Sequence, residues 1–345
     1  MNIVFFNLAV MPYHVAVFRA LISKGYNCIV YWYGKAPKTK YRAPEIKGLQ
    51  LFNRFDFKNA SELFRHSQQF DPHVIVCSGW VDKVYNKTCR IYRGKKVLTV
   101  ATSDTQWSGG KQWINRLLAP LRHKKYFDYI WGAGILQFDY ARKLGFSPDR
   151  ILMNCFAGDI DTFSKVSIED KIISYPKRFI FVGRFVEVKA IDILLKAWAS
   201  IEDKKGWELE LIGEGPLKDF FRNEYPDVII KDFMSQSELA EEAQKAGCFV
   251  IPSRFEPWAL VIQEFGAAAL PIIATRQCGA ARHFVLNRHN GYIIDSDQIY
   301  DLRNVMLEII NLNKETLLEM GKKSRQMAFS STPDIVADTL ISILD

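Results

Sequence analysis

Short apolar runs recur along the chain, and segments with helical spacing lie between them. In the first half, residues 3–6, 28–33, 74–77, 97–100 and 129–131 read as buried strands, with helical stretches such as residues 13–23 and 111–125 intervening. The second half repeats the alternation. Residues 179–182, 209–212, 248–251, 269–275 and 292–294 are strand-like, and Ile191, Leu194, Leu195, Trp198 and Ile201 mark one helical face. Strand–helix alternation in both halves predicts an α/β chain of two doubly wound, Rossmann-like domains facing each other across a cleft. A polar stretch at residues 160–177, ending in Tyr175-Pro176, marks the boundary between them. The expected domains are residues 1–165 and 178–328, with residues 329–345 as a terminal helix carrying Ile335, Leu340, Ile341 and Leu344.

Candidate chemistry gathers where strands give way to helices. Glu256 and Glu264 stand seven residues apart in Arg254-Phe-Glu-Pro-Trp-Ala-Leu-Val-Ile-Gln-Glu264. Pro257 suits the first position of a helix, so Glu256 falls at the strand-to-helix turn and Glu264 in the helix behind it. Open α/β sheets bind ligands at that end of their strands. A carboxylate that accepts two hydrogen bonds matches a vicinal diol. Taken alone, each could equally be a surface glutamate. Upstream, the strand Phe179-Ile-Phe-Val ends in Gly183, followed by Arg184 and Lys189 before a helix. A glycine turn at a helix N-terminus favours anions, and two cations beside it can neutralise a diphosphate. Leu209-Glu-Leu-Ile-Gly213 forms a second strand ending in a glycine turn. Ala269-Leu-Pro-Ile-Ile-Ala-Thr-Arg-Gln-Cys-Gly279 opens into a small-residue loop, and Asn290-Gly291 precedes a last short strand.

In this order, the five segments resemble the nucleotide-binding half of the retaining glycosyltransferases of family 4, which have the GT-B architecture. The resemblance is closest over residues 178–295. It implies that Arg184 and Lys189 hold the donor diphosphate, that Glu256 binds hydroxyls of the donor sugar and that Glu264 binds the ribose. It also implies donor contacts at Gly183, Gly213, Trp258, Ala259 and Leu260. Two positions depart from the family pattern: Ala190 and Ala259 stand where glycine is usual, each adding a methyl near the expected phosphate path.

At 345 residues the chain exceeds what one core usually holds, and nearly half of it is apolar, so two cores are expected. No apolar run approaches the ~20 residues that cross a bilayer. The start, Met1-Asn-Ile-Val-Phe-Phe, reads as a first strand rather than a leader. Six cysteines without a Cys-x-x-Cys pair, four of them in or beside apolar runs, suggest reduced thiols in a cytoplasmic protein. The histidines lack metal-ligand spacing, and Asp159-Ile-Asp161 reads as an interdomain turn rather than a metal site. No metal and no cofactor is expected, the nucleotide sugar being a substrate.

Charge is unequally divided. Residues 1–160 carry 24 Lys+Arg against 10 Asp+Glu, a net of +14. Residues 161–345 carry 22 against 28, a net of −6, giving the +8 of the whole chain. The resemblance implies that the first half receives the acceptor, and its basic charge then suggests an anionic surface or acceptor. Residues 111–125 could form one helix with Trp113, Ile114, Leu117, Leu118 and Leu121 on a face flanked by Lys111, Arg116, Arg122, Lys124 and Lys125. Such a face suits either a membrane surface or the domain's own core. No aromatic-basic motif points to nucleic acid.

In the first half, Ser103-Asp104-Thr-Gln-Trp107 follows a central strand, where the family often places a His or Asp beside the anomeric carbon. Asp104 could orient the acceptor, stabilise positive charge on the sugar, or cap the next helix. His14, in the first strand-to-helix loop, could meet donor or acceptor, or be structural. The resemblance implies a metal-independent, retaining hexosyltransferase acting on a glycan or lipid-linked acceptor. The expected setting is the cytoplasmic face of the membrane, in bacterial surface polysaccharide or lipopolysaccharide assembly. A nucleotide-sugar epimerase and a non-catalytic sugar- or nucleic-acid-binding protein are the rival readings.

Overall fold

A computed structural model describes residues 1–34 and 46–344 of the chain; residues 35–45, within the expected first domain, and Asp345, the last residue of the expected terminal helix, lie outside it. The chain divides into two units, Met1–Ala157 with Ser331–Asp345, and Gly158–Ser330. The division falls a few residues ahead of the polar stretch at 160–177, because Asp159 already caps the short helix Ile160–Phe163, whose Phe163 ring packs on Phe265 of the second unit.

Among the described residues, the first unit holds seven strands: β1 (Asn2–Phe6), β2 (Asn27–Trp32), β3 (Leu49–Asn53), β4 (Val74–Ser78), β5 (Leu98–Ser103), β6 (Tyr129–Gly132) and β7 (Ile151–Leu152). All pairings are parallel, in the order β3-β2-β1-β4-β5-β6-β7. Apolar residues on one face of the central strands, such as Val4, Phe6, Ile75 and Ala101, fill a core with Tyr31 of β2 and with Tyr85 and Tyr140 from the helices packed on that face. Helix Pro333–Ile341 packs against helix Pro12–Ser23, and Lys24 pairs with Asp338 at 2.9 Å.

The second unit has β8 (Arg178–Val182), β9 (Glu208–Ile212), β10 (Ile229–Lys231), β11 (Cys248–Ile251), β12 (Ile272–Thr275) and β13 (Gly291–Ile294), parallel in the order β10-β9-β8-β11-β12-β13. Both sheets are doubly wound. The chain order reverses between β1 and β4 in one sheet and between β8 and β11 in the other, which makes the carboxyl ends of those strands the ligand-binding positions of each unit.

The pattern of apolar runs misses β3, β7 and β10, and all three are edge strands. An edge strand is short and half-solvated, so it lacks the continuous apolar run of a central parallel strand. The helix expected over residues 111–125 is corrected. It is broken into Gln112–Leu117 and Ala119–Arg122, with Pro120 at the start of the second piece, where its ring fits best. The six cysteines are free and buried. Among the described residues, no helix is long and apolar enough to cross a membrane.

Candidate functional site

In the second unit the switch point between β8 and β11 brings together the residues singled out from the sequence. β8 ends at Val182, and Gly183 donates its N–H to the Ile212 carbonyl, bringing the β8 and β9 turns into contact. Gly213 lies against it so closely that a Cβ there would sit 1.9 Å from the Gly183 carbonyl oxygen, and its φ of 150° suits only glycine. Arg184 follows, exposed, and forms no ion pair among the described residues. A short 3-10 turn, Glu187–Lys189, then carries Lys189 into an ion pair with Glu256. Lys189 and Glu256 thus hold each other, both largely withdrawn from solvent.

The loop bearing Glu256 is fixed by backbone bonds. Glu256 N–H donates to the Gln277 carbonyl at 3.2 Å, its own carbonyl accepts from Gly279 at 3.0 Å, and the Trp258 carbonyl accepts from Ala280 at 2.8 Å. A Cβ at Gly279 would lie 2.2 Å from the Pro257 oxygen, so the small-residue loop after β12 exists to let these two backbones meet. The sequence missed Arg254. Its N–H donates to the Val188 carbonyl at 2.9 Å, and its guanidinium reaches the Glu187 carbonyl, Asp192 at 2.9 Å and Asp297 at 2.7 Å. One side chain therefore ties the Lys189 turn to the Glu256 turn. Its partners lie 43 to 67 positions away in the chain, so no local pattern announces it.

Ala190 and Ala259 both adopt left-handed backbone, at φ 52° and 83°, and each is the N-cap of the following helix, Ile191–Ala199 and Leu260–Ala267. Two alanines therefore bear the strain of a backbone conformation that favours glycine. Leu260 opens the second helix, whose first turn has no side-chain cap and whose Ile262 N–H donates to the Ala259 carbonyl at 3.1 Å. Trp258, expected as a donor contact, has its ring buried against His283 and Phe284.

Glu264 sits one and a half turns into the helix and is buried. One carboxylate oxygen, Oε1, accepts from Asp159 N–H at 3.3 Å and from Gln236 Nε2 at 3.1 Å. Burial, opposed by those two donors and reinforced by the Asp159 charge, pushes its carboxyl up to about 7. A Cβ on Gly158 would come within 2.9 Å of the Glu264 Cγ, so the 158–159 backbone passes directly over this side chain. Asp159 itself caps its own short helix through Thr162, in keeping with a turn rather than a metal ligand.

The first unit has its own concavity, a cavity of about 300 Å³ at the carboxyl ends of β1, β4 and β5, at the other switch point. His14, Ser103 and Asp104 line it together with Tyr13, Trp80 and Phe156. His14 Nδ1 accepts the Met11 N–H at 3.1 Å, which places the ring proton on Nε2. Desolvation pushes this histidine down to about 3, so it is neutral and a donor. Burial, followed by the nearby Cys155 and Asp104 charges, holds the Tyr13 phenol well above its ordinary value. Asp104 is not a helix cap, since the next helix begins at Gln112 with Lys111 as its N-cap. The Asp104 carbonyl instead accepts from Gln137 Nε2 at 2.7 Å.

Beyond the cavity, the basic segment exposes Trp113, Ile114, Leu117 and Leu121 at 53, 57, 78 and 66%. That face is therefore not spent on the unit's own core. Arg116 lies over the Trp113 ring, and Trp113 meets Trp107 edge-on at 5.2 Å.

Comparison with known proteins bears on the two units differently. Residues 165–327 match the family model described as glycosyl transferases group 1. An uncharacterized glycosyltransferase of Methanocaldococcus jannaschii is 31% identical over 158 residues, 43% of this chain and 42% of that protein. The chain thus matches somewhat under half the length of the curated relatives. Solved structures extend the likeness to the whole fold. An Anabaena protein, HepE, in complex with UDP has a TM-score of 0.76 at 13% identity, covering 100% of this chain and 99% of that one. The lipopolysaccharide outer core galactosyltransferase WaaB scores 0.74 at 14% identity, covering 99% and 98%. The match to the group 1 glycosyl transferase model is confined to the second unit, and the chain as a whole has the GT-B fold.

Proposed function

We propose that this protein is a retaining glycosyltransferase that moves a hexose-type sugar from a nucleoside diphosphate donor to a glycan or lipid-linked acceptor, without a metal ion. The observation that carries this reading is the Lys189–Glu256 ion pair beside Arg184 at the β8/β11 switch point, with Glu264 on the following helix. The group 1 domain match and a structural neighbour crystallised with UDP support the same donor class.

In this reading the donor diphosphate meets Arg184 and Lys189, and Glu256, released from Lys189, accepts hydroxyls of the sugar. Glu264 accepts the ribose diol. The bond from the anomeric carbon to the leaving phosphate oxygen breaks, and that oxygen gains negative charge. The two cations and the helix-end amides after Ala190 and Ala259 stabilise it without rearranging. The acceptor oxygen bonds to the anomeric carbon on the same face, and its proton passes to the departing phosphate. The first unit's cavity takes the acceptor, with Asp104 orienting its hydroxyl and the His14 Nε2–H donating to it. Trp80 and Phe156 offer ring faces to a sugar.

The exposed apolar face of residues 112–121, flanked by exposed Lys111, Arg116, Arg122 and Lys124, fits an anionic membrane surface. Each engaged cation contributes ~1 kcal/mol there, within a Debye length of ~8–10 Å. Assembly of a bacterial surface polysaccharide or lipopolysaccharide at the cytoplasmic face is the proposed setting, in line with the WaaB neighbour. Salt-sensitive flotation with acidic but not neutral liposomes is expected, weakened by charge reversal at Lys124; flotation indifferent to lipid charge sinks the docking.

Incubation with a panel of nucleotide sugars and chelator, read by mass spectrometry and by the anomeric configuration of the product, tests the catalytic reading. Transfer or slow hydrolysis with retained configuration is expected. Interconversion of sugars without transfer would make the protein an epimerase, and loss of activity in chelator that a divalent ion restores would end the metal-free mechanism.

A further inference from the structure

The Glu264 carboxylate has two donors on one oxygen, and they come from different places in the chain. Asp159 N–H belongs to the turn at the start of the second unit, and Gln236 opens the helix Gln236–Gln244 that follows β10. Gln236 is not needed to start that helix. Ser235 is the N-cap, its hydroxyl oxygen accepting from the Glu238 N–H while the Glu238 carboxylate accepts from the Ser235 N–H at 2.7 Å, a complete capping box. Nor is the amide fully satisfied, because Gln236 Oε1 is buried without a hydrogen-bond partner. A buried amide oxygen left unpaired is unfavourable, so the side chain's favourable contact lies in what its Nε2 donates to.

We infer that Gln236 is a positioning residue for Glu264: together with the Asp159 N–H it fixes one carboxylate oxygen, keeps the group charged and leaves the second oxygen to a vicinal diol. The inference rests on the proposal that Glu264 meets the donor ribose. The surroundings support it. Asp159 is the charged group acting on Glu264, and its negative charge, like burial, favours the neutral carboxylic acid. Several charged groups on the elements around this helix are engaged elsewhere, and among the described residues none other than Asp159 acts on the Glu264 carboxyl. Arg325, on helix Lys314–Ala328, donates to the Ala267 and Val166 carbonyls at 2.7 Å, and Arg282 to the Arg276 carbonyl at 3.3 Å. His283 packs on Trp258 and Phe284. On the Gln236 helix itself, Glu238 folds back on Ser235 and Glu242 pairs with Lys231 and Lys245. β11 and β12 carry no charged residue. With no cation at hand, hydrogen-bond donors alone favour the ionised form, and Gln236 supplies one of the two.

The test compares UDP, GDP and ADP with the 2′,3′-dideoxy form of whichever binds most tightly, by calorimetry across a pH series spanning about 7. The ratio of the two dissociation constants isolates the diol, because titration of the phosphates affects both ligands alike. In the unmodified protein the preference for the ribose form should rise with pH. Gln236→Leu and Gln236→Ala should move that rise to higher pH, losing roughly tenfold of the preference near neutrality for each unit of displacement, and should recover it in alkali. Glu264→Gln should give a low, flat ratio. An unmoved midpoint in both Gln236 variants, or a loss equal at every pH, overturns the inference while sparing the donor site. A Glu264→Gln variant that keeps the full ribose preference, or a protein that binds none of the three nucleotides, overturns the reading of the donor site itself.

Discussion

The N-terminal unit lies in the basic part of the chain, with a net of +14 over residues 1–160, yet among the described residues no lysine or arginine lines its cavity. The C-terminal unit falls in the part with a net of −6, yet its switch point presents Arg184 and Lys189. Bulk charge and site charge are therefore set by separate means. The first acts through solvent at the range of a Debye length and governs what surface the protein approaches. The second is fixed by turns whose backbone hydrogen bonds hold a few side chains within contact distance. The cavity has a neutral histidine, a carboxylate and aromatic walls, suited to hydroxyl groups. The switch point of the second unit has cations placed against carboxylates, suited to a charged diphosphate carrying diols.

The strongest way to break this contrast is to remove the cation. Lys189→Ala takes away half of the proposed diphosphate clamp and strands the Glu256 carboxylate, so kcat/KM should fall by ~10²–10³. Arg184→Ala should fall by one to two orders of magnitude, since each lost charged hydrogen bond removes ~1.5–3 kcal/mol. Steady-state kinetics with the best donor in the panel reads both. Activity within a few-fold of the parent in Lys189→Ala would mean that the pair is structural and the clamp lies elsewhere.

Glu264 offers a second cut, on stability rather than turnover. Its carboxyl ionises at about 7 in the folded chain against 4.5 as the ordinary value. A carboxyl raised on folding contributes stability below pH 4.5, and that contribution is lost as pH climbs through about 7. Across that window the loss is ~3 kcal/mol. Glu264→Gln lacks the titration, so its stability relative to the parent should improve steadily from acid to neutral pH and then level. Urea midpoints taken along the pH series measure the difference. A difference that does not vary with pH would place the carboxylate in water, contrary to its burial.

The sequence was most legible where function is concentrated. Glu256, Glu264, Arg184 and Lys189 all lie in the turns and helix that follow strands β8 and β11, which are continuous apolar runs, so their place in the fold follows from pattern. Arg254 and Gln236 escaped because their importance is in partners 28 to 67 positions distant, and nothing in their neighbours' chemistry marks them. The N-terminal cavity was half legible. His14, Ser103 and Asp104 were found near strand ends, although His14 lies in the helix Pro12–Ser23 and Ser103 ends β5, while Trp80 and Phe156 meet them only once the sheet is assembled.

The contrast can be sharpened inside the cavity. Asp104→Asn keeps the shape and removes the charge, and should reduce turnover roughly ten- to hundredfold, the scale of one positioned acid–base or hydrogen-bonding group. Nucleotide affinity should stay where it was. His14→Gln retains a side-chain N–H donor and should keep most activity, whereas His14→Ala should not. Because His14 titrates at about 3, the parent's rate profile should show no limb from it near pH 6.5. A limb at that pH that disappears in His14→Gln would show a histidine acting as base, and the neutral-donor role would fall.

The smallest expected effect concerns the two alanines at the helix starts. Left-handed backbone costs a non-glycine residue ~1–2 kcal/mol, and replacing it with glycine relieves that strain. Glycine in turn loses more chain entropy on folding, ~0.5–1 kcal/mol, so the two effects nearly cancel where the alanine sits in the left-handed basin. Ala190, at φ 52° and ψ 35°, is there. Ala259, at φ 83° and ψ 75°, lies outside it and bears more strain. Ala190→Gly should therefore leave the melting temperature almost unchanged, and Ala259→Gly should raise it by a few degrees, ~1 kcal/mol. Ala259 is also at the helix start expected to face the diphosphate, so its variant should at the same time keep or improve donor affinity. Calorimetric melting of both variants decides the matter. Equal shifts at the two positions would mean that the strain is shared rather than concentrated beside Glu256, and a fall at Ala259 would mean that the methyl packs more than it strains.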